Sequence, residues 1–162
     1  MSSFKILFVC LGNICRSPAA EGVMRRVVAE AGLSNHVHID SAGTADWHTG
    51  KRADSRMRAA AQTRGMDLTS LARQVRNQDF TDFDLILVMD QSNHQNIRLF
   101  DPENLNPGKV RLFCEFCSIH TETEVPDPYY GGPEGFEKVL DLLEDGCAGV
   151  LQHITQHLKK AA

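Results

Sequence analysis

Several features are missing from this 162-residue sequence. No apolar run approaches the roughly 20 residues that a membrane helix needs. The N-terminal stretch also lacks the basic-then-apolar layout of a secretory signal, so a cytoplasmic location without a membrane partner is expected. Net positive charge is absent as well: 17 Lys and Arg stand against 21 Asp and Glu, for a formal charge of -4. That balance argues against a broad nucleic-acid surface, which requires many uncompensated cations. The five cysteines form an odd count in a chain large enough to bury a core without staples, which favours reduced thiols over a disulfide framework. Internal repeats, low-complexity tracts and Gly/Ser linkers are lacking too, and a single domain spanning residues 1–162 is expected.

What is present is an alternation of two periodicities. Phe4 to Cys10 is nearly continuous apolar sequence rich in strand formers, as for a strand buried on both faces of a parallel sheet. From Pro18 onward Ala19, Ala20, Val23, Met24, Val27, Val28 and Ala31 recur at helical spacing. Short strands are expected at Val37 to Ser41, Leu85 to Met89 and Val110 to Phe113, with helices at Ser55 to Arg64, Gln91 to Phe100 and Pro133 to Lys159. The pattern predicts a three-layer α/β/α fold on a central four-stranded parallel sheet with right-handed crossovers. Irregular segments fall at Ala42 to Asp54, Asp67 to Asp82 and Glu115 to Gly132. In such sheets ligands sit beyond the C-terminal ends of the strands, where the first and last of these loops would meet the turn after Cys10.

That turn, Cys10 to Arg16 before a helix at about Ser17, has the makings of an anion nest. Successive backbone N–H groups point at one anion and the helix dipole adds positive potential. Gly12 and Asn13 are residue types that tolerate left-handed backbone angles. Arg16 adds a planar fork of donors that holds two phosphate oxygens at once and keeps its charge at working pH. The same donors are expected to lower the pKa of Cys10 below its reference of about 8.5 and make it a thiolate. Read residue by residue, Cys10 is equally a packed core cysteine and Arg16 a surface side chain; their joint setting favours the functional reading.

The motif "VCLGNICRSP", Val9 to Pro18, resembles the signature loop of the low-molecular-weight protein tyrosine phosphatases. The resemblance continues through Glu21, "SAGT" (Ser41 to Thr44), "ARQV" (Ala72 to Val75), "DFTDFDLILVMDQSN" (Asp79 to Asn93) and "DPYYGG" (Asp127 to Gly132). It implies hydrolysis of phosphotyrosine monoesters through a phosphocysteine, with Cys10 as nucleophile and Asp127 as general acid and then base. Arg16 and the loop Leu11, Gly12, Asn13, Ile14, Cys15 and Ser17 would bind the phosphoryl oxygens. Asn13, Ser17, Ser41 and Glu21 would support the loop. Leu11, Ile14, Trp47, Tyr129 and Tyr130 would wall a slot deep enough for phosphotyrosine, leaving phosphoserine short of the nucleophile. Cys15 is implied as a redox partner that protects Cys10 by a reversible disulfide. Partners implied are phosphotyrosine proteins or peptides, small aryl phosphates, inhibitory phosphate-like oxyanions and a cognate tyrosine kinase, with no cofactor and no metal.

The match departs at Ser70, where the family usually has a histidine that helps hold the phosphate loop. A less rigid loop, supported by water, Ser41 or Glu21, is the expectation. Cys114 and Cys117 form one Cys-x-x-Cys, weak as a zinc signal because structural zinc takes four ligands; two ordinary thiols are expected. His153 and His157 are expected on a polar face of the last helix. Three alternatives stay in view: a thioredoxin-coupled arsenate reductase drawing on Cys114, Cys117 or Cys147, a protein-arginine phosphatase, typified by threonine where Ile14 stands, and a phosphotyrosine-binding module without turnover.

Overall fold

Along β1, Phe4–Cys10, successive side chains enter two different cores, which is why the run has no polar face. Phe4, Ile6, Phe8 and Cys10 face one layer of helices, while Leu7 and Val9 face the other. The computed structural model describes residues 2–161. After β1 come α1 (Arg16–Glu30), β2 (Val37–Gly43), α2 (Ser55–Thr63) and the short α3 (Asp79–Asp82). β3 (Leu85–Val88), α4 (Gln91–Ile97), β4 (Val110–Leu112) and the long α5 (Pro133–Ala161) complete the chain, with short 3-10 turns between them.

All four strands are parallel, in the order β2-β1-β3-β4. The expected three-layer architecture is present: α1, α2 and α5 cover one face, while Phe80 and Phe83 of the α3 segment and Ile97 of α4 fill the other. The chain leaves β1 to one side for β2 and returns to the other side for β3, so the C-terminal end of β1 lies at the topological switch point.

Element ends shift where loops compete for the ladder. β2 runs past Ser41 to Gly43, whose N–H donates to Arg73 O and whose O accepts from Val75 N, each at 2.8 Å. β3 stops at Val88, because Met89 N–H turns to Asn93 Oδ1 at 3.2 Å and Met89 O accepts from Val125 N at 2.8 Å. β4 ends at Leu112, where Phe113 begins a 3-10 turn, and the last turn of the expected helix to Phe100 is likewise 3-10. α3 lies inside a segment expected to be irregular; four residues are too few for a period to show.

The turn Phe113–Phe116 seats directly on α5. A Cβ on Gly146 would lie 2.3 Å from Phe113 Cε2, and one on Gly149 would lie 2.1 Å from Phe116 O. His153 and His157 are not a plain polar face: Phe4 meets both edge-on, at 6.2 and 5.0 Å between centroids, and Phe116 meets His153 at 5.5 Å. Asp145 of α5 pins the loop that follows. Its carboxylate accepts from the N–H groups of Ser118, Ile119 and His120 at 3.0, 3.1 and 2.8 Å, and His120 Nδ1 lies 2.9 Å away. Burial alone would raise this carboxyl's pKa, but those donors hold it well below the usual carboxylate range.

A group with a depressed folded-state pKa stabilises the fold above its unfolded pKa, about 3.9 for Asp, and loses that contribution as pH falls toward the folded value. Asp145→Ala is therefore expected to cost about 1–3 kcal/mol at pH 7. In denaturant titrations the gap from the wild type should narrow below about pH 4; a gap independent of pH would reject the ionised anchor.

Candidate active site

The turn after β1 opens because its carbonyls are held from outside. Cys10 O and Leu11 O accept from Thr44 N and Ala45 N at 2.9 Å, and Ile14 O accepts from Asp54 N at 2.8 Å. Among the described residues no acceptor pairs with the N–H groups of Gly12, Asn13, Ile14 or Cys15. A cluster of unpaired amides at a helix start is an anion site. Within this loop Asn13 alone takes the left-handed conformation, with φ 57. Gly12 leaves room instead: a Cβ there would lie 3.0 Å from His48 Cδ2, which would have to give by a few tenths of an ångström. Gly43 gives the loop similar clearance, since its Cβ would meet Leu11 O at 2.8 Å.

A chain of hydrogen bonds runs under the loop. Asn13 Nδ2 donates to Ser17 Oγ at 2.7 Å and to Ser41 Oγ at 3.0 Å, while Asn13 Oδ1 accepts from Arg73 N at 3.0 Å. Ser41 Oγ donates to Glu21 Oε1 at 2.7 Å, and Arg25 Nη2 holds Glu21 Oε2 at 2.9 Å. Ser17 accepts from Asn13, and its Oγ lies 3.0 Å from Cys10 Sγ and 3.4 Å from Ala42 O, either of which can take its single proton. The carboxamide of Asn13 is thus engaged through Ser17, Ser41 and Arg73 without Ser70. Ser41 and Glu21 supply the support that the sequence placed among its options.

Arg16, 2% exposed, is aimed by Asp90: Nη1 donates to Asp90 Oδ2 at 2.6 Å and to Val125 O at 3.0 Å. Asp90 also caps α4, its Oδ1 accepting from Asn93 N at 2.7 Å, so it is fixed at both oxygens. Burial would weaken the guanidinium's hold on its proton, but Cys10, Asp90 and Asp127 together raise its pKa above the ordinary arginine value. Asp127 Oδ2 lies 3.7 Å from Arg16 Nη2, and its Oδ1 accepts from Tyr129 N at 3.1 Å. The Cys15 thiol is buried, and burial, followed by Asp54, Cys10 and Asp127, pushes its pKa up.

These groups surround one cavity of about 270 Å³, lined by Cys10, Leu11, Gly12, Ile14, Cys15, Arg16, Trp47, His48, Asp127, Tyr129 and Tyr130. Every expected wall residue is there. The side chains of Asn13, Ser17, Ser41 and Glu21 lie beneath it in the supporting network. Trp47 and Tyr130 are 67% and 95% exposed and form the mouth, with Tyr130 edge-on to Tyr129 at 4.9 Å. Sequence reading missed His48, Asp90, Arg73 and Arg56. Arg56 lies over the Tyr129 ring at 5.2 Å and the Phe136 ring at 4.9 Å, tying that wall to α5. Among the described residues no group of three or more His, Cys, Asp or Glu side chains is placed to hold a metal, and no helix is long and apolar enough to cross a membrane.

A thiol and a guanidinium at opposite ends of an amide-lined turn, with a carboxylate across the opening, define a cysteine-dependent phosphatase on a doubly wound sheet. Residues 5–161 match the family described as low molecular weight phosphotyrosine protein phosphatase, and the chain belongs to that family of protein-tyrosine phosphatases. It is 38% identical over 162 residues to a Streptomyces coelicolor low molecular weight protein-tyrosine-phosphatase, covering 99% of this chain and 99% of that one. A Schizosaccharomyces pombe low molecular weight phosphotyrosine protein phosphatase is 46% identical over 153 residues, covering 94% of this chain and 97% of its own. The crystal structure of an Entamoeba histolytica protein tyrosine phosphatase with Hepes in the active site superposes with a TM-score of 0.91. It is 45% identical and covers 96% of this chain and 99% of its own.

Proposed function

We propose that Cys10, Arg16 and Asp127 carry the phosphatase reaction on phosphotyrosine proteins and peptides, and that small aryl phosphates enter by the same route. Cys10 Sγ attacks phosphorus as the bond to the tyrosyl oxygen breaks, and Asp127 delivers a proton to that oxygen. Arg16 and the loop amides hold the non-bridging oxygens through the transition state. In the second step Asp127 takes a proton from water, the new P–O bond forms, and the P–S bond breaks. Ser17 then donates its proton toward the departing thiolate. The observation that carries this reading is the meeting of Cys10, Arg16 and Asp127 in one cavity whose mouth is aromatic. Phosphate-like oxyanions are inhibitors because they fill the same nest.

Hydrolysis of phosphotyrosine, phosphoserine and phosphoarginine peptides, measured side by side with chelator present, tests the substrate class. Selective turnover of phosphotyrosine is expected. Preference for phosphoarginine would favour the protein-arginine phosphatase reading, and arsenate reduction with thioredoxin would favour the arsenate reductase. Asp127→Ala is expected to lower kcat about 10²–10⁴-fold with little change in binding. The loss should shrink for aryl phosphates with more acidic phenols, and equal losses across leaving groups would reject the general acid.

Redox protection of Cys10 by Cys15, a cytoplasmic location and a cognate tyrosine kinase as partner belong to this proposal. The first is supported by the proximity of the two cysteines, which line one cavity from the same loop.

A further inference from the structure

Of the cysteines outside the active site, Cys147 is fully buried, its Sγ 3.9 Å from Ala20 O, and burial pushes its thiol pKa up. Cys114 and Cys117 differ. They sit in and just after the 3-10 turn Phe113–Phe116, closed by Cys117 N–H donating to Cys114 O at 3.1 Å. Residues three apart in a hydrogen-bonded turn have Cα atoms within about 7 Å, and disulfides span about 4.4–6.8 Å. The backbone that carries them is held against α5 at Gly146 and Gly149, and Cys117 Sγ lies 3.7 Å from Leu142 O of the same helix.

We propose that Cys114 and Cys117 form a second redox site, a dithiol that a peroxide oxidises reversibly to an intramolecular disulfide, independently of Cys10 and Cys15. The pair is asymmetric in the way such chemistry requires. Proximity to Cys117 lowers the pKa of the Cys114 thiol, whereas Cys114 first, then burial and Asp145, raise that of Cys117. Cys114 is the attacking sulfur. Its thiolate takes one oxygen of the peroxide as the O–O bond breaks, giving a sulfenic acid, and the released hydroxide takes up the Cys114 proton as water. Cys117 then attacks the Cys114 sulfur; the S–S bond forms, the S–O bond breaks, and the Cys117 proton leaves with the oxygen as a second water. Both thiols are oxidised and one peroxide is reduced. Cys114 is 8% exposed and Cys117 partly exposed, which admits a small oxidant.

Trypsin separates the cysteines: Ile6 to Arg16 carries Cys10 and Cys15, Leu112 to Lys138 carries Cys114 and Cys117, and Cys147 falls beyond Lys138. Wild-type protein is treated with graded hydrogen peroxide, alkylated in denaturant, digested and weighed. The Leu112 to Lys138 peptide is expected to lose two hydrogens, to resist alkylation at both cysteines, and to regain them with dithiothreitol. In Cys117→Ser, Cys114 should instead accumulate oxygen. Recovery of both thiols free at peroxide levels that oxidise the Ile6 to Arg16 peptide would overturn the proposal. So would oxygen on Cys114 beside a free Cys117 in wild type, or a crosslink to Cys147.

Discussion

Arg16→Lys is expected to lower kcat/KM for phosphotyrosine peptides by about 10²–10³-fold, although the charge is conserved. Arg16 serves two directions at once: Nη1 is committed to Asp90 and Val125, and the rest of the guanidinium plane extends toward the cavity and Asp127. A lysine head is a single point. If it stays with Asp90 it leaves the phosphoryl oxygens, and if it moves to them it strands Asp90, whose other oxygen is committed to the start of α4. Steady-state kinetics with inhibition by inorganic phosphate checks this. Turnover and phosphate affinity both within a few-fold of wild type would mean that no planar fork is needed.

Cys10→Ser is expected to abolish turnover, by on the order of 10⁴-fold or more, while phosphate binding survives. The amides and Arg16 that bind the anion do not depend on sulfur, but a serine hydroxyl at this position has no neighbouring base. Ser17 Oγ, 3.0 Å from Cys10 Sγ, is a neutral hydroxyl already bonded to Asn13 and is no base. Measuring phosphate binding beside turnover separates this outcome from misfolding. A folded variant that turns over at wild-type rate would remove Cys10 from the chemistry.

Much of this site lies in the open in the sequence because it is local. Cys10 to Ser17 are contiguous, their anion-binding logic is that of any turn entering a helix, and the strand before them betrays itself by lacking a polar face. Asp127 is far away, yet "DPYY" brings its own aromatic pair. What escaped reading depends on contacts across long separations. Asp90 meets Arg16 across 74 positions, and Arg73 meets Asn13 across 60 through a backbone N–H that no side-chain pattern announces. Gly12 and Gly43 are small because His48 and the loop backbone pass close by, which becomes visible only after folding. The middle loop, where Ser70 marks the departure from the family pattern, supplies Arg73. Its own anchor is the fully buried Asp79 at 3.0 Å, in a helix too short to leave a periodic trace.

The central claim, that phosphate passes through Cys10, is tested most directly by acid-quenching wild type and Asp127→Ala during turnover of a phosphotyrosine peptide and locating phosphorus by mass spectrometry. The account predicts one phosphoryl group on Cys10 within the Ile6 to Arg16 peptide, accumulating further in Asp127→Ala when the substrate is an aryl phosphate whose acidic phenol departs without protonation. A full burst of tyrosine product with phosphate on another residue, or steady turnover with no phosphoenzyme in either protein, would contradict it.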